Sequence, residues 1–405
     1  MNILILSPGY PAEMPQFTRG LAEVGAKVFG VGDQGPGALP ELVQRHLSGY
    51  LPVRSLWDEA AVVDAVCRWP AAASLDGVEC LWEPGMLLAA RLREALHLPG
   101  LDVAQTVPFR DKEAMKQVLD RAGLRTPRHI RCGSVHACWE AAEQIGFPII
   151  IKPIDGAGSA DTYRVESSDE LRNILPRLRH VPDVSVEEFV DGDEFTFDTV
   201  TIQGEVAYHN IAWYRPRPLV ARSHEWISPQ VIALRHVDQP VLAGGVEMGL
   251  QVIKALGFQS GFTHMEWYRK ADGEVVFGEI GARPPGAHQV DQMNAACDFD
   301  VYREWGRAVA FGRFDAQIDR KYNVSNIYKR AHGDGQIARI SGLDRIERLY
   351  GEHITWNKLL PVGAPRRNWR NTLVSDGFLM IRHPELSTLV KISDDVAENL
   401  DLYAE

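Results

Sequence analysis

In HMEWYRKADGEVVFGEIGARPPG, residues 264–286, two runs rich in β-branched and aromatic residues flank Asp272-Gly273. That pair supplies the positive φ of a tight hairpin turn. With a two-residue loop, Glu266 faces Glu279 and Tyr268 faces Phe277, all on one side of the ribbon; a three-residue loop breaks that register. At ~4–5 Å and an effective dielectric near 20, two facing carboxylates repel by roughly 3–4 kcal/mol. A hard divalent cation between them removes the conflict. Mg²⁺ suits the place because it keeps some waters and takes further oxygens from a nucleotide's phosphates. The competing reading is an edge hairpin whose two glutamates are solvated.

Upstream residues bear on that choice. Lys152 ends the run FPIIIKPI, whose three isoleucines read as a strand buried on both faces. A lysine there needs an anion, unless it snorkels to the surface. The small residues of DGAGSADT follow, letting backbone N–H groups approach phosphate oxygens. In SVEEFVDGDEFTFD, Glu187 and Glu188 point to opposite faces of an extended chain, so only one of them lines a given cleft. A carboxylate such as Glu194 grips a ribose through two hydroxyls, while the intervening backbone pairs with an adenine edge. A surface strand with solvated glutamates is the alternative.

These residues need elements to carry them. A chain of 405 residues implies two to four compact units. The formal charge of -11 argues against a nucleic-acid partner. The five cysteines are odd in number and irregularly spaced, without CxxC, and HExxH is absent; this points to reduced thiols in the cytoplasm and away from zinc. MNILILSPGYP reads as a buried strand and not a signal peptide, and no apolar run reaches the ~20 residues of a membrane span.

Residues 1–105 alternate strand and helix as an open parallel α/β unit, without GxGxxG. Asp111 caps an amphipathic helix that Gly123 stops. A helix from Ser134, the strand FPIIIKPI, the strand TYRV, a helix from Ser168 and the strand VSVEEFV complete residues 106–190. Residues 191–310 hold FTFDTVTI, GEVAYHNIAWY, a long irregular loop at 215–230, a helix at 240–256 and the hairpin. Residues 311–405 read as a separate small β-rich unit with one late helix near 394–400.

The order of these parts resembles the ATP-grasp superfamily: Lys112 on a capped helix, Lys152 before a small-residue loop, EEFVDGDE, then two glutamates and an arginine in GEIGARPPG. The resemblance is strongest over residues 105–310. EIGARPPG, the His264-Met265-Glu266 approach and the β-rich tail look most like carboxylate-amine ligases that join L-amino acids. It implies an α/β and α+β ATP-grasp fold with an N-terminal open parallel α/β domain. It also implies that Lys112 and Lys152 hold ATP phosphates under a loop of Gly156, Ala157, Gly158 and Ser159. Glu187 accepts from the adenine amino group beside Glu188, the Val190 backbone meets the ring, and Glu194 binds the ribose. Glu266 and Glu279 hold one or two Mg²⁺ ions, or Mn²⁺ in their place, and Arg283 faces the substrate carboxylate or its acyl phosphate. Many relatives carry asparagine where this chain has Gly281, so one metal ligand is missing.

The implied activity is ATP-dependent amide or peptide bond formation through an acyl phosphate, with ATP, a small carboxylate and an amine as partners, and a homodimer as the expected assembly. Tyr208, Trp213, Tyr214, Arg215 and Trp226 are candidate acceptor contacts. His209, His264 and His288 are candidate bases that read better as packing residues. Two alternatives stand beside it. One is a biotin-carboxylase-like or carbamoyl-phosphate-synthetase-like enzyme using bicarbonate, disfavoured by the short loop after Lys152. The other is a non-catalytic ATP-binding regulatory protein, which would not need Lys152, Glu266, Glu279 and Arg283 together.

Overall fold

The computed structural model describes residues 1–155 and 161–405. The predicted phosphate loop, Gly156, Ala157, Gly158 and Ser159, lies outside the described residues.

The first unit is a parallel sheet in which Asn2–Leu6 runs between Lys27–Gly32 and Gly77–Glu79. Leu47–Pro52 forms its outer edge. This edge strand was not expected, since Ser48 and Gly49 interrupt any apolar alternation; it is only half-buried and needs none. The second unit is antiparallel, with strands in the order His129–Cys132, Val184–Glu188, Ile149–Pro153 and Tyr163–Val165. One face packs on the helix Val135–Ile145, started by Ser134 accepting from Ala137 N, and the other faces a cleft. The isoleucine strand is therefore buried on one face only: Ile149 and Ile151 are fully buried, and Ile150 shares the cleft side with Lys152.

The central sheet has nine strands and carries the hairpin at one end. There Val275–Gly281 pairs with Gly261–Arg269, which pairs with Asp193–Ile202. Met265, Trp267, Phe277 and Ile280 pack beneath it against Phe195, Phe197 and the helix Pro240–Ala255. The helix lies so close that a Cβ on Gly245 would come to 2.2 Å from the Trp267 ring.

The hairpin differs from expectation in two ways that cancel. Lys270 N donates to Glu274 O at 2.9 Å, so the loop holds three residues, Ala271 to Gly273, with Gly273 at φ 89°. Tyr268 consequently pairs with Val276, and Phe277 pairs with Trp267 in the core. A register shift between Glu266 and Trp267, opposite Gly278, then restores the facing of Glu266 and Glu279. Gly278 is required there, because a Cβ would stand 2.8 Å from the Glu266 carbonyl oxygen.

Residues after Ala310, expected as a separate unit, mostly extend this sheet. Asn323–Tyr328 and Phe378–His383 are internal strands of it, followed by Ile354–Asn357 at its far end. NVSNIY disguises its position because its polar side chains are buried and hydrogen-bonded: Asn323 Oδ1 accepts from Arg235 N at 2.9 Å, and Asn326 Nδ2 donates to Tyr328 Oη at 3.2 Å. Only His332–Gly333, Ile337–Ser341 and Asp401–Ala404 form a sheet apart. Two helices, Leu343–Tyr350 and Leu386–Asn399, replace the single late one. The irregular segment at 215–230 contains a short helix, Pro218–Ala221.

Candidate active site

The antiparallel sheet and the hairpin end of the central sheet enclose a cavity of about 220 Å³. Lys112, Lys152, Glu187, Glu194, Glu266 and Glu279 all line it, with Arg283. Glu188 and Val190 reach it as well, but the Glu188 carboxylate is taken by Arg125 at 2.9 and 3.2 Å and by Arg128 N at 3.1 Å. Of the adjacent pair, Glu187 is the one that turns to the cleft.

Local structure explains these placements. Asp111 accepts from Glu113 N and Ala114 N and so fixes the start of the helix Lys112–Arg121. Lys112 N donates to Ile154 O at 3.2 Å, tying that helix to the end of the Lys152 strand. Lys112 and Lys116, one turn apart, share a face. Lys116 Nζ lies 2.8 Å from Glu187 Oε1, Lys152 Nζ lies 3.0 Å from Glu187 Oε2, and Lys112 Nζ lies 3.3 Å from Glu279 Oε2.

Burial works against every charge in this cluster, and the partners decide the outcome. Burial would raise the Glu187 carboxyl, but Lys116 and Lys152 outweigh it and hold the group well below the usual carboxylate range. Glu279 is likewise held down, burial being overcome by Lys112, Lys152, Lys116 and Arg283. Burial lowers Lys152, yet Glu187, Glu279 and Glu266 keep it above the ordinary lysine value. For Lys116 burial wins and its affinity for a proton falls. Glu194 goes the other way: burial and the neighbouring Glu266 charge push it up, against Arg217.

Glu266 and Glu279 are directly cross-strand. Tyr214 Oη donates to Glu266 Oε1 at 3.4 Å, and His264 Nε2 lies 3.6 Å from the same oxygen while its Nδ1 meets Asp198 Oδ1 at 2.6 Å. Among the described residues no group of three His, Cys, Asp or Glu side chains forms a metal cluster. Two facing carboxylates that repel Glu194 fit a Mg²⁺ ion, which uses one or two protein carboxylates and fills its shell with water and phosphate oxygens.

Three residues escaped the sequence reading. Lys116 was signalled by its position four residues after Lys112 on a capped helix. Glu83 follows the strand Gly77–Glu79 at the carboxyl end of a parallel sheet, where such sheets offer ligands. Its Oε2 accepts from Arg283 Nε at 2.7 Å, and its Oε1 pairs with Arg110. Arg217 had no signal, lying between prolines in an irregular segment. It donates to Val190 O at 2.8 Å and to Glu194 Oε2 at 3.1 Å, and it stacks on Phe189 and Tyr268.

The suggested acceptor residues mostly lie elsewhere. Tyr214 lines the cavity. Tyr208 is buried against Phe299 and Phe314, Trp213 stacks on Phe195, and Arg215 pairs with Asp394. Trp226 is 73% exposed and lines neither this cavity nor its neighbour. Of the histidines, His264 lines this cavity and His288 the neighbouring one, whereas His209 lines neither; burial and Arg320 lower His209 to about 4.

Residues 111–192 match the family model described as carbamoyl-phosphate synthase L chain, ATP binding domain. The chain is 26% identical over 284 residues to the L-arginine-specific L-amino acid ligase of Bacillus subtilis, covering 64% of this chain and 68% of that protein. Over 88 residues it is 35% identical to a D-alanine–D-alanine ligase of Clostridium perfringens, a match spanning 21% of this chain and only 29% of the ligase. The solved L-amino acid ligase of Bacillus licheniformis superposes with a TM-score of 0.80 at 22% identity, covering 100% of this chain and 98% of that one.

Proposed function

We propose, for a chain that belongs to the ATP-grasp superfamily, that it is an ATP-dependent carboxylate-amine ligase joining a small carboxylate, in the first place an amino acid, to an amine through an acyl phosphate. The observation that carries this reading is the meeting of Glu266 and Glu279 with Lys112, Lys152 and Arg283 around one cavity. A carboxylate is a poor electrophile because its leaving group would be oxide. Attack of its oxygen on the γ-phosphorus of ATP releases ADP and leaves an acyl phosphate. The amine nitrogen then attacks the acyl carbon, phosphate departs, and the nitrogen loses a proton.

Each step brings negative charge together, and this chain supplies the opposing charge in place. Lys112 and Lys152 would meet phosphate oxygens, while Glu187 holds Lys152 on its strand. Glu266 and Glu279 would hold Mg²⁺, which when bound neutralises charge on the phosphates. Arg283 is fixed on one side by Glu83 and by the Pro284 carbonyl, 2.9 Å from its Nη1, so it can present its fork to the substrate carboxylate. Nucleotide binding at Val190 and Glu194 would displace Arg217 from both or stack on it. No helix among the described residues is long and apolar enough to cross a membrane, and the five cysteines are unpaired, which suits a cytoplasmic site of action.

The test is a screen for phosphate release from ATP and Mg²⁺ with amino acids singly and in pairs, with bicarbonate as a separate arm, followed by mass analysis of the product. Release that needs two amino acids and yields a dipeptide supports the ligase. Release with bicarbonate alone favours the carboxylase reading, and silence throughout favours a binding protein without turnover.

A further inference from the structure

Past Arg283 the cleft opens into a second cavity of about 930 Å³, with Glu83, Arg222, Arg283 and Leu373 on the shared wall. Its charge is lopsided. Arg222, Lys358, Arg367 and Arg370 line it beside Arg283, against Glu13 and Glu83. Glu83 is consumed by Arg110 and Arg283, and Glu13 accepts from His288 N at 3.0 Å.

Exposed arginines are ordinarily solvated, so the weight falls on two that are not fully exposed. Arg330 lines the first cavity and is only 8% exposed. Its guanidinium donates to the carbonyls of Ala221 and His224 at 2.9 and 2.8 Å and lies 4.5 Å from the Trp369 ring centroid. Arg222 lines both cavities, half-buried, and donates to Arg370 O at 2.6 Å. Carbonyls orient a guanidinium without neutralising it. Among the described residues no carboxylate lies within ion-pair distance of either arginine. The nearby Asp376 carboxylate instead accepts from Ala331 N and Arg367 N, at 2.8 and 2.7 Å. Burial, with Arg222 adding to it, brings Arg330 down to about 10. A buried cation beside a like charge is costly unless an anion meets it.

We infer that one of the two small substrates carries an anionic group besides the reacting one, a carboxylate or a phosphate, and that Arg222 and Arg330 hold it while Arg283 attends to the carboxylate being activated. What reacts rests on the ligase reading above; the anion site does not. A planar fork beside an open cavity matches either anion bidentately.

The test is calorimetry on the full chain with a non-hydrolysable ATP analogue and Mg²⁺ present. Three probe pairs are titrated: L-glutamate against L-glutamine, L-aspartate against L-asparagine, and O-phospho-L-serine against L-serine. The inference expects the anionic member of at least one pair to bind about tenfold tighter or more. Which pair responds separates a carboxylate from a phosphate. Arg222→Gln, at a half-exposed position that should still fold, is expected to abolish the preference, Arg222→Lys to restore part of it, and neither to alter affinity for the ATP analogue.

Neutral members binding as well in all three pairs, or no binding by any member, overturns it. So does an Arg222→Gln effect confined to the analogue, which would assign these cations to the nucleotide. An anion preference without phosphate release in the screen would remove the ligase reading and leave this site standing. Release with neutral amino acids and no preference would do the reverse.

Discussion

The two ends of the cleft handle charge differently. At the nucleotide end each described cation has a carboxylate: Lys116 and Lys152 share Glu187, and Lys112 meets Glu279. At the other end Arg222 and Arg330 are held by carbonyls and an aromatic ring, with no carboxylate at ion-pair distance among the described residues. Paired charges hold their geometry without help, so the nucleotide end is preorganised. Cations oriented but not neutralised keep their charge for something that arrives, so that end is built for recognition. Removing a charge should therefore harm stability at the first end and not at the second.

The largest effect should come from Glu279→Gln. It removes one of two facing carboxylates, and ADP release should fall by about 10³-fold or more with the fold retained by circular dichroism. Turnover near the parent level would take the metal role away from the hairpin. Next comes Glu187→Leu, which strands Lys116 and Lys152 without a counter-charge and should cost about 3–5 kcal/mol in denaturant unfolding. The folded Glu187 carboxyl lies below its unfolded value, so its pairing stabilises above the ordinary carboxylate range and is lost as pH falls through the folded value. The gap between parent and variant should therefore narrow on acidification below about pH 4.

Lys152→Ala should weaken binding of the ATP analogue by roughly 10–100-fold in calorimetry, since a charge-assisted contact to phosphate is lost. Gly278→Ala should disturb the bulge that makes Glu266 face Glu279, costing about 1–3 kcal/mol and lowering turnover in step. Smallest of all, Arg222→Gln should leave unfolding within about 0.5 kcal/mol of the parent. A loss there as large as that of Glu187→Leu would erase the contrast between the two ends.

Much of the nucleotide end was legible in the sequence because its residues sit on regular elements. Lys152 closes an apolar strand, Lys112 opens a capped helix, and the two glutamates lie on adjacent strands. The facing of Glu266 and Glu279 was reached through a wrong turn length, since the bulge at Gly278 is a tertiary accommodation that alternation does not reveal. The C-terminal strands were misplaced because NVSNIY buries asparagines and a serine in place of an apolar face. The arginine end was illegible for a different reason. Arg222 and Arg330 are more than a hundred residues apart, and what distinguishes them is a missing counter-charge, a property of the folded surroundings alone.

One measurement tests the central claim most directly. A substrate that releases phosphate in the screen is labelled with ¹⁸O in its carboxylate and turned over with ATP and Mg²⁺, and the inorganic phosphate is examined by mass spectrometry. Activation at the γ-phosphorus moves one labelled oxygen from the carboxylate into the phosphate, which is the result predicted. Phosphate carrying no label while amide product accumulates would contradict the acyl phosphate and the role given to this cleft.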